Sequence, residues 1–207
     1  MQTPKESTKL SILNSAKEEF LEVGFDRASM RKIAKKANVS TSNIYNYFTN
    51  KEGILEELVK SIISSIENGL GQISSDDHVE KRLNFSYETL KSRFNVILFF
   101  VDENRDILDL LLFHSNGSAF NNFLENFTER ITQLNIRQIN YYKEHKGMQS
   151  LVTHDFFIRN LVSFFLNIFV EMIKNKKSKE EILEMEDNFL KFMHYGSKAI
   201  LLDVNES

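Results

Sequence analysis

Apolar residues recur at the three- and four-residue spacing of amphipathic helices along almost the whole chain. Residues 7–23 place Leu10, Leu13, Lys17, Phe20 and Leu21 on one face, and Gly24 ends the pattern as a C-terminal glycine should. Ser29 is a good cap for a short helix over 30–37, with Ile33, Ala34 and Ala37 inside. Asn38 falls where a tight turn wants a left-handed residue, and Ser40 caps a second short helix over 41–47. Asn50 caps a longer helix, 51–70, carrying Ile54, Leu55, Leu58, Val59, Ile62 and Ile66. Residues 71–77 read as a linker. Five more helical patterns follow, over 78–101, 105–115, 118–145, 154–175 and 179–202, with breaks at Gly117, Lys146–Gly147 and 175–177. Val79 and Leu83 open the first of these, and Phe120 the third. Residues 161–173 are apolar nearly all round. The pattern predicts an all-α chain of about nine helices.

Composition narrows the class. One proline and seven glycines are too few turn signals for a β sandwich or barrel of 207 residues. With 42% hydrophobic and 27% charged residues, the chain is not mainly disordered. It has no cysteine, which excludes disulfides, thiol catalysis and Cys-ligated zinc. No apolar run approaches the roughly 18 residues that span a bilayer, and the N-terminal stretch has no signal core. A cytoplasmic protein with no membrane partner is expected.

The net charge of −3 argues against a polyanion partner until its distribution is read. Residues 1–51 carry nine Lys/Arg against five Asp/Glu, and the remainder is acidic. Between 27 and 51 stand Arg27, Arg31, Lys32, Lys35, Lys36 and Lys51, with no acid. Such a basic head suits a polyanion, although a solvated lysine-rich helix face would look the same.

Residues 29–48, SMRKIAKKANVSTSNIYNYF, decide between these readings. Two short helices joined by a tight turn make a helix-turn-helix. Ala34 and Ala37 allow a close crossing, and Val39, Ile44 and Phe48 point to the core. Thr41, Ser42, Asn43 and Asn46 are left facing outward, with neither charge nor bulk. Short hydroxyl and amide side chains suit base edges in a major groove. Arg31, Tyr45, Tyr47 and Lys51 suit phosphate and sugar, and Ser29 and Ser40 cap the two helices beside them.

This stretch resembles the DNA-binding domain of the TetR family of bacterial transcriptional regulators. The resemblance rests on Gly24 and Phe25, the cap Ser29, Arg31 with Ile33 and Ala34, the Asn38-Val39-Ser40 turn, Tyr45, Tyr47 and Phe48, and Lys51 with Ile54 and Leu55. Asn38 departs from the family's usual glycine, and Lys32 stands where an acid often follows the cap. Beyond 51 the likeness is only in length and helical pattern. The resemblance implies a helix-turn-helix DNA-binding domain over 1–50 and a helical effector-binding and dimerisation domain over 51–207. It implies that Arg31, Thr41, Ser42 and Asn43 touch bases or adjacent backbone, and that Tyr45, Asn46, Tyr47 and Lys51 hold phosphates. It implies a homodimer on a palindromic operator, released when a small effector displaces helix 51–70.

The rest of the chain shows no catalytic constellation, and no cofactor or metal is expected. The histidines His78, His114, His145, His154 and His194 lack metal-ligand spacing. Phenylalanine is abundant, 18 of 207 residues, and most of it at helical spacing is core. By the resemblance, an effector pocket lies among the middle helices. Phe94, Phe100, Phe113, Phe123 and Phe127 are its candidate walls, and His114, Arg137 and Tyr141 candidate anchors, for an apolar or aromatic molecule. The last two helices carry more apolar surface than one face can bury. Phe164, Phe165, Ile168, Phe169, Met172, Phe189, Phe192 and Met193 are therefore candidate dimer-interface residues, unless the first of the two helices is simply buried. Three alternatives stay open: an activator, a DNA binder without a small ligand, and a helical lipid- or small-molecule-binding protein whose helix-turn-helix contacts protein.

Overall fold

The computed structural model describes residues 4–74, 86–146 and 154–201. Part of the expected linker, together with His78, Val79, Leu83 and Gly147, lies outside the described residues. Those described form nine α-helices and no strand: α1 Pro4–Val23, α2 Met30–Lys36, α3 Thr41–Ile44, α4 Lys51–Ser74, α5 Tyr87–Glu103, α6 Arg105–Phe113, α7 Phe123–Lys146, α8 Asp155–Lys174 and α9 Lys179–Leu201.

The chain divides into two compact units. Unit 1 comprises Met1–Glu67 and Asn104–Phe123, and unit 2 comprises Asn68–Glu103 and Leu124–Ser207. In unit 1, α1 buries Ile12, Ser15, Ala16, Glu19 and Phe20, whereas Leu10 is 45% exposed. That is not the face its leucines predict. Ala16 is small enough to sit fully buried, and the acid at 19 is carried inside because lysines of α2 meet it. Ile54, Leu55, Val59 and Ile62 of α4 are buried as expected.

Residues 116–122 are a run of turns rather than the start of α7, so Phe120 precedes that helix. The cause is local. Ser115 Oγ donates to the carbonyls of Leu111 and Phe120, Ser118 Oγ to that of Ser115, and Ser118 Oγ accepts from Phe120 N–H. Serine hydroxyls that satisfy nearby backbone compete with the helical ladder.

Unit 2 is built around phenylalanine. Phe94 of α5 meets Phe165 and Phe169 of α8 and Phe189 of α9, at ring-centroid distances of 6.3, 5.3 and 5.9 Å. A second cluster joins Ile139 and Tyr142 of α7 to Ile158 and Val162 of α8. Arg159 of α8 also bridges to Glu125 and Glu129 of α7 at 3.2 and 2.6 Å. By length and composition alone, α8 could cross a membrane, which the sequence reading excluded. Phe169 and Met172 on it are buried within this protein, and Arg159 on it is ion-paired.

Candidate nucleic-acid interface

The head begins where α1 ends. Gly24 has φ +80, and the turn after it closes with Ala28 N–H donating to the carbonyl of Gly24 at 3.1 Å. Ser29, extended in backbone, accepts from Lys32 N–H at 3.3 Å and starts α2. Ala37 closes α2, and Asn38 takes φ 54. Val39 N–H then reaches back to the carbonyl of Ala34 at 3.0 Å, which satisfies the helix end and turns the chain. Ser40 caps the next helix through Asn43 N–H at 3.2 Å.

That helix is shorter than the pattern predicts. α3 holds four residues, and the chain continues to Phe48 through turns, with Tyr47 and Phe48 N–H groups donating to the Ile44 carbonyl at 2.9 and 3.0 Å. Ile44 and Phe48 are buried, as are Ile33, Ala34 and Ala37 of α2. Outward lie Ser42 and Asn46, exposed, and Thr41 and Asn43, half-buried. Two local bonds order this face: Ser40 Oγ with Ser42 Oγ at 3.0 Å, and Asn46 Nδ2 to Asn43 Oδ1 at 3.2 Å. Tyr45 is 54% exposed and Tyr47 half-buried. Neutral hydroxyl and amide groups held on a short capped helix can read donor and acceptor patterns without penalising approach to a polyanion.

Residues 12–58 match the model of the "Bacterial regulatory proteins, tetR family". Over those residues the chain is similar to the amino-terminal domain of that family. The HTH-type transcriptional regulator UidR of Escherichia coli (strain K12) is 39% identical over 59 residues, which cover 28% of this chain and 30% of UidR. The probable HTH-type transcriptional regulator YttP of Bacillus subtilis (strain 168) is 34% identical over 95 residues, 44% and 46% of the two chains. The match thus spans less than half the length of either relative. Among solved structures, NalD of Pseudomonas aeruginosa, described as the secondary repressor of a multidrug efflux pump, superposes with a TM-score of 0.59. That comparison covers 93% of this chain and 96% of NalD at 21% identity, a likeness of fold.

Lys51 of this amino-terminal head is turned inward. Its ammonium donates to the carbonyls of Phe25, Asp26 and Ala28 at 2.8, 2.9 and 3.5 Å and lies 4.4 Å from the Phe25 ring centroid. It fastens the start of α4 to the turn that leads into α2. A second fastening comes from 114–119. The His114 carbonyl accepts from Phe25 N–H at 2.8 Å, and Glu52 accepts from Ala119 N–H at 2.9 Å. Gly117, at φ +82, lies so near Asp26 that a Cβ there would stand 3.2 Å from Asp26 Oδ1. Nothing local in the sequence links residues so far apart, and this junction was missed.

Glu19 was missed as well. Its side chain is 2% exposed, and Lys36 Nζ stands 3.0 Å from it, with Lys32 Nζ at 3.7 Å. Lys36 also meets Glu22 at 2.6 Å. The hydrogen bond with Glu22 is the largest influence holding Lys36 above the ordinary lysine range, and Glu22 is lowered by the same bond. The available signal was an acid on α1 beside the buried Phe20, with two lysines four apart on α2.

The candidate pocket residues divide between the two units. Phe94, Phe100, Phe127, Arg137 and Tyr141 belong to unit 2, and Phe113, His114 and Phe123 to unit 1. Phe94 is fully buried in the phenylalanine cluster, and Tyr141 stacks on His145 at 4.4 Å. Of the candidate interface residues, Phe169, Met172 and Phe189 are buried within the chain. Phe165, Ile168 and Met193 are half-buried. Phe164 and Phe192 are 47% and 64% exposed, with rings 5.7 Å apart.

Proposed function

We propose that the protein is a transcriptional regulator that binds duplex DNA in the cytoplasm through α2 and α3. The supporting observation is the outward face of α3 and the turn after it: Ser42, Asn43 and Asn46 are neutral and short, Ser42 is hydrogen-bonded to Ser40 and Asn46 to Asn43, and Ile44 on the other side is buried. Thr41, Ser42, Asn43 and Asn46 would read bases. Arg31, Tyr45 and Tyr47 would hold sugar and phosphate, with Ser29 and Ser40 setting the helix starts. Lys51 would act by positioning, since its three donors are spent on carbonyls.

The working form would be a homodimer joined through α8 and α9, with Phe164 and Phe192 in the contact. A twofold dimer sets two recognition helices about 34–36 Å apart on a palindromic site. A repressor released by an apolar or aromatic effector is the form we favour. The effector would be held in unit 2, where Phe100, Phe127, Arg137 and Tyr141 remain candidates. Effector coupling of about 1–3 kcal/mol would change operator affinity about 5- to 150-fold.

Fluorescence anisotropy against labelled duplexes recovered from a random pool tests this reading. Asn43→Ala should weaken the recovered sequence more than unrelated DNA. Equal losses on both would contradict base reading by α3.

A further inference from the structure

Six cations stand between 27 and 51, but the structure occupies most of them. Lys51 spends its donors on three carbonyls, and Arg27 Nε donates to the carbonyl of Val23 at 2.8 Å. On α2 the remaining four form two rows, since residues four apart share a helix face. Lys32 and Lys36 make one row, and both face Glu19. That carboxylate is nearly sealed from water, and its Oε1 has no hydrogen-bond partner. Drawing Lys36 away to a phosphate would leave the buried carboxylate with Lys32 alone, at 3.7 Å, which costs more than a surface phosphate contact returns. Glu22 holds the same ammonium from the solvent side at 2.6 Å. Arg31 and Lys35 make the other row. Both are exposed, and neither side chain has an ion pair or hydrogen bond among the described residues.

We propose that Arg31 and Lys35 form the head's phosphate clamp, and that Glu19 and Glu22 withhold Lys32 and Lys36 from DNA. This rests on the DNA-binding reading and adds Lys35 to it. It means that α2 offers DNA two of its four cations. Lys35 also stands in the last turn of α2, where a cation complements the helix dipole. That role alone would leave the salt dependence of DNA binding untouched.

The test is the slope of log affinity against log salt for the full chain on a mixed-sequence duplex. Each phosphate neutralised by a cation contributes about 0.9 to that slope. Lys35→Gln and Arg31→Gln should each lower its magnitude by about 0.9 per bound head. Between 50 and 200 mM salt, each change would shrink the loss of affinity by about 3- to 4-fold per head. Lys35→Arg should restore the slope. Lys32→Gln, at an exposed and loosely paired position, should leave it unchanged, and so should Lys36→Gln in whatever fraction stays folded.

An unchanged slope in Lys35→Gln, or an equal drop in Lys32→Gln, would overturn the clamp while the DNA-binding reading stood. Failure of the unaltered protein to bind duplex DNA in dilute buffer would overturn both.

Discussion

Asn38 and Gly117 show how differently two left-handed residues can be read. Asn38, at φ 54, stands in a three-residue turn whose need is visible from the helices on either side. Asparagine enters this region at low cost, so Asn38→Gly should change stability by under about 1 kcal/mol, whereas Asn38→Val should cost about 1–2 kcal/mol or more. Gly117, at φ +82, is set against Asp26, far away in sequence. Gly117→Ala should cost about 1–2 kcal/mol in urea denaturation. No one-dimensional pattern announces that contact, whereas the turn at Asn38 announces itself through Val39 and Ser40. Tyr87 is another long-range case. Its hydroxyl donates to Asp187 at 2.5 Å, and this bond chiefly pushes the phenol up to about 12. Ultraviolet titration should show Tyr87 ionising late, and Asp187→Asn should bring its ionisation to lower pH.

Among the elements, caps and glycines were legible because they act within a few residues. Ser29, Ser40 and Gly24 each do what their residue type predicts. Ser40→Ala should cost about 1 kcal/mol, because its hydroxyl caps a helix of only four residues. Equilibrium unfolding reads this directly. The buried face of α1 was not legible. Leu10, Leu13 and Leu21 compete with Ile12 and Ala16 for the inside, and hydrophobicity alone cannot rank them. The ion pairs of Glu19 with Lys36 and Lys32 show which face turns in. Lys36→Met should destabilise by about 1–3 kcal/mol, a value reduced from that of a fully buried pair because Lys32 remains and Lys36 is partly solvated. The start of α7 was misread for another local reason: Ser115 and Ser118 hold a turn that the phenylalanine spacing disguises.

For the whole molecule, helical class and the head's architecture followed from periodicity, caps and the 29–48 stretch. The effector did not, because phenylalanine at helical spacing serves equally as core. Phe94 shows this: it is sealed among Phe165, Phe169 and Phe189. Phe164 and Phe192 expose adjoining rings on α8 and α9. If that patch joins two copies, Phe192→Glu should yield a monomer by light scattering while helical content holds.

Selection of bound sequences from a random duplex pool shows whether the face of α3 reads duplex DNA. The expected result is enrichment of a palindrome whose half-sites lie about one helical turn, 34–36 Å, apart or a multiple of it. That enrichment should be lost when Ser42 and Asn46 are both replaced by alanine. No enriched sequence with the unaltered protein, or the same palindrome enriched equally by the doubly substituted one, would contradict base reading by α3.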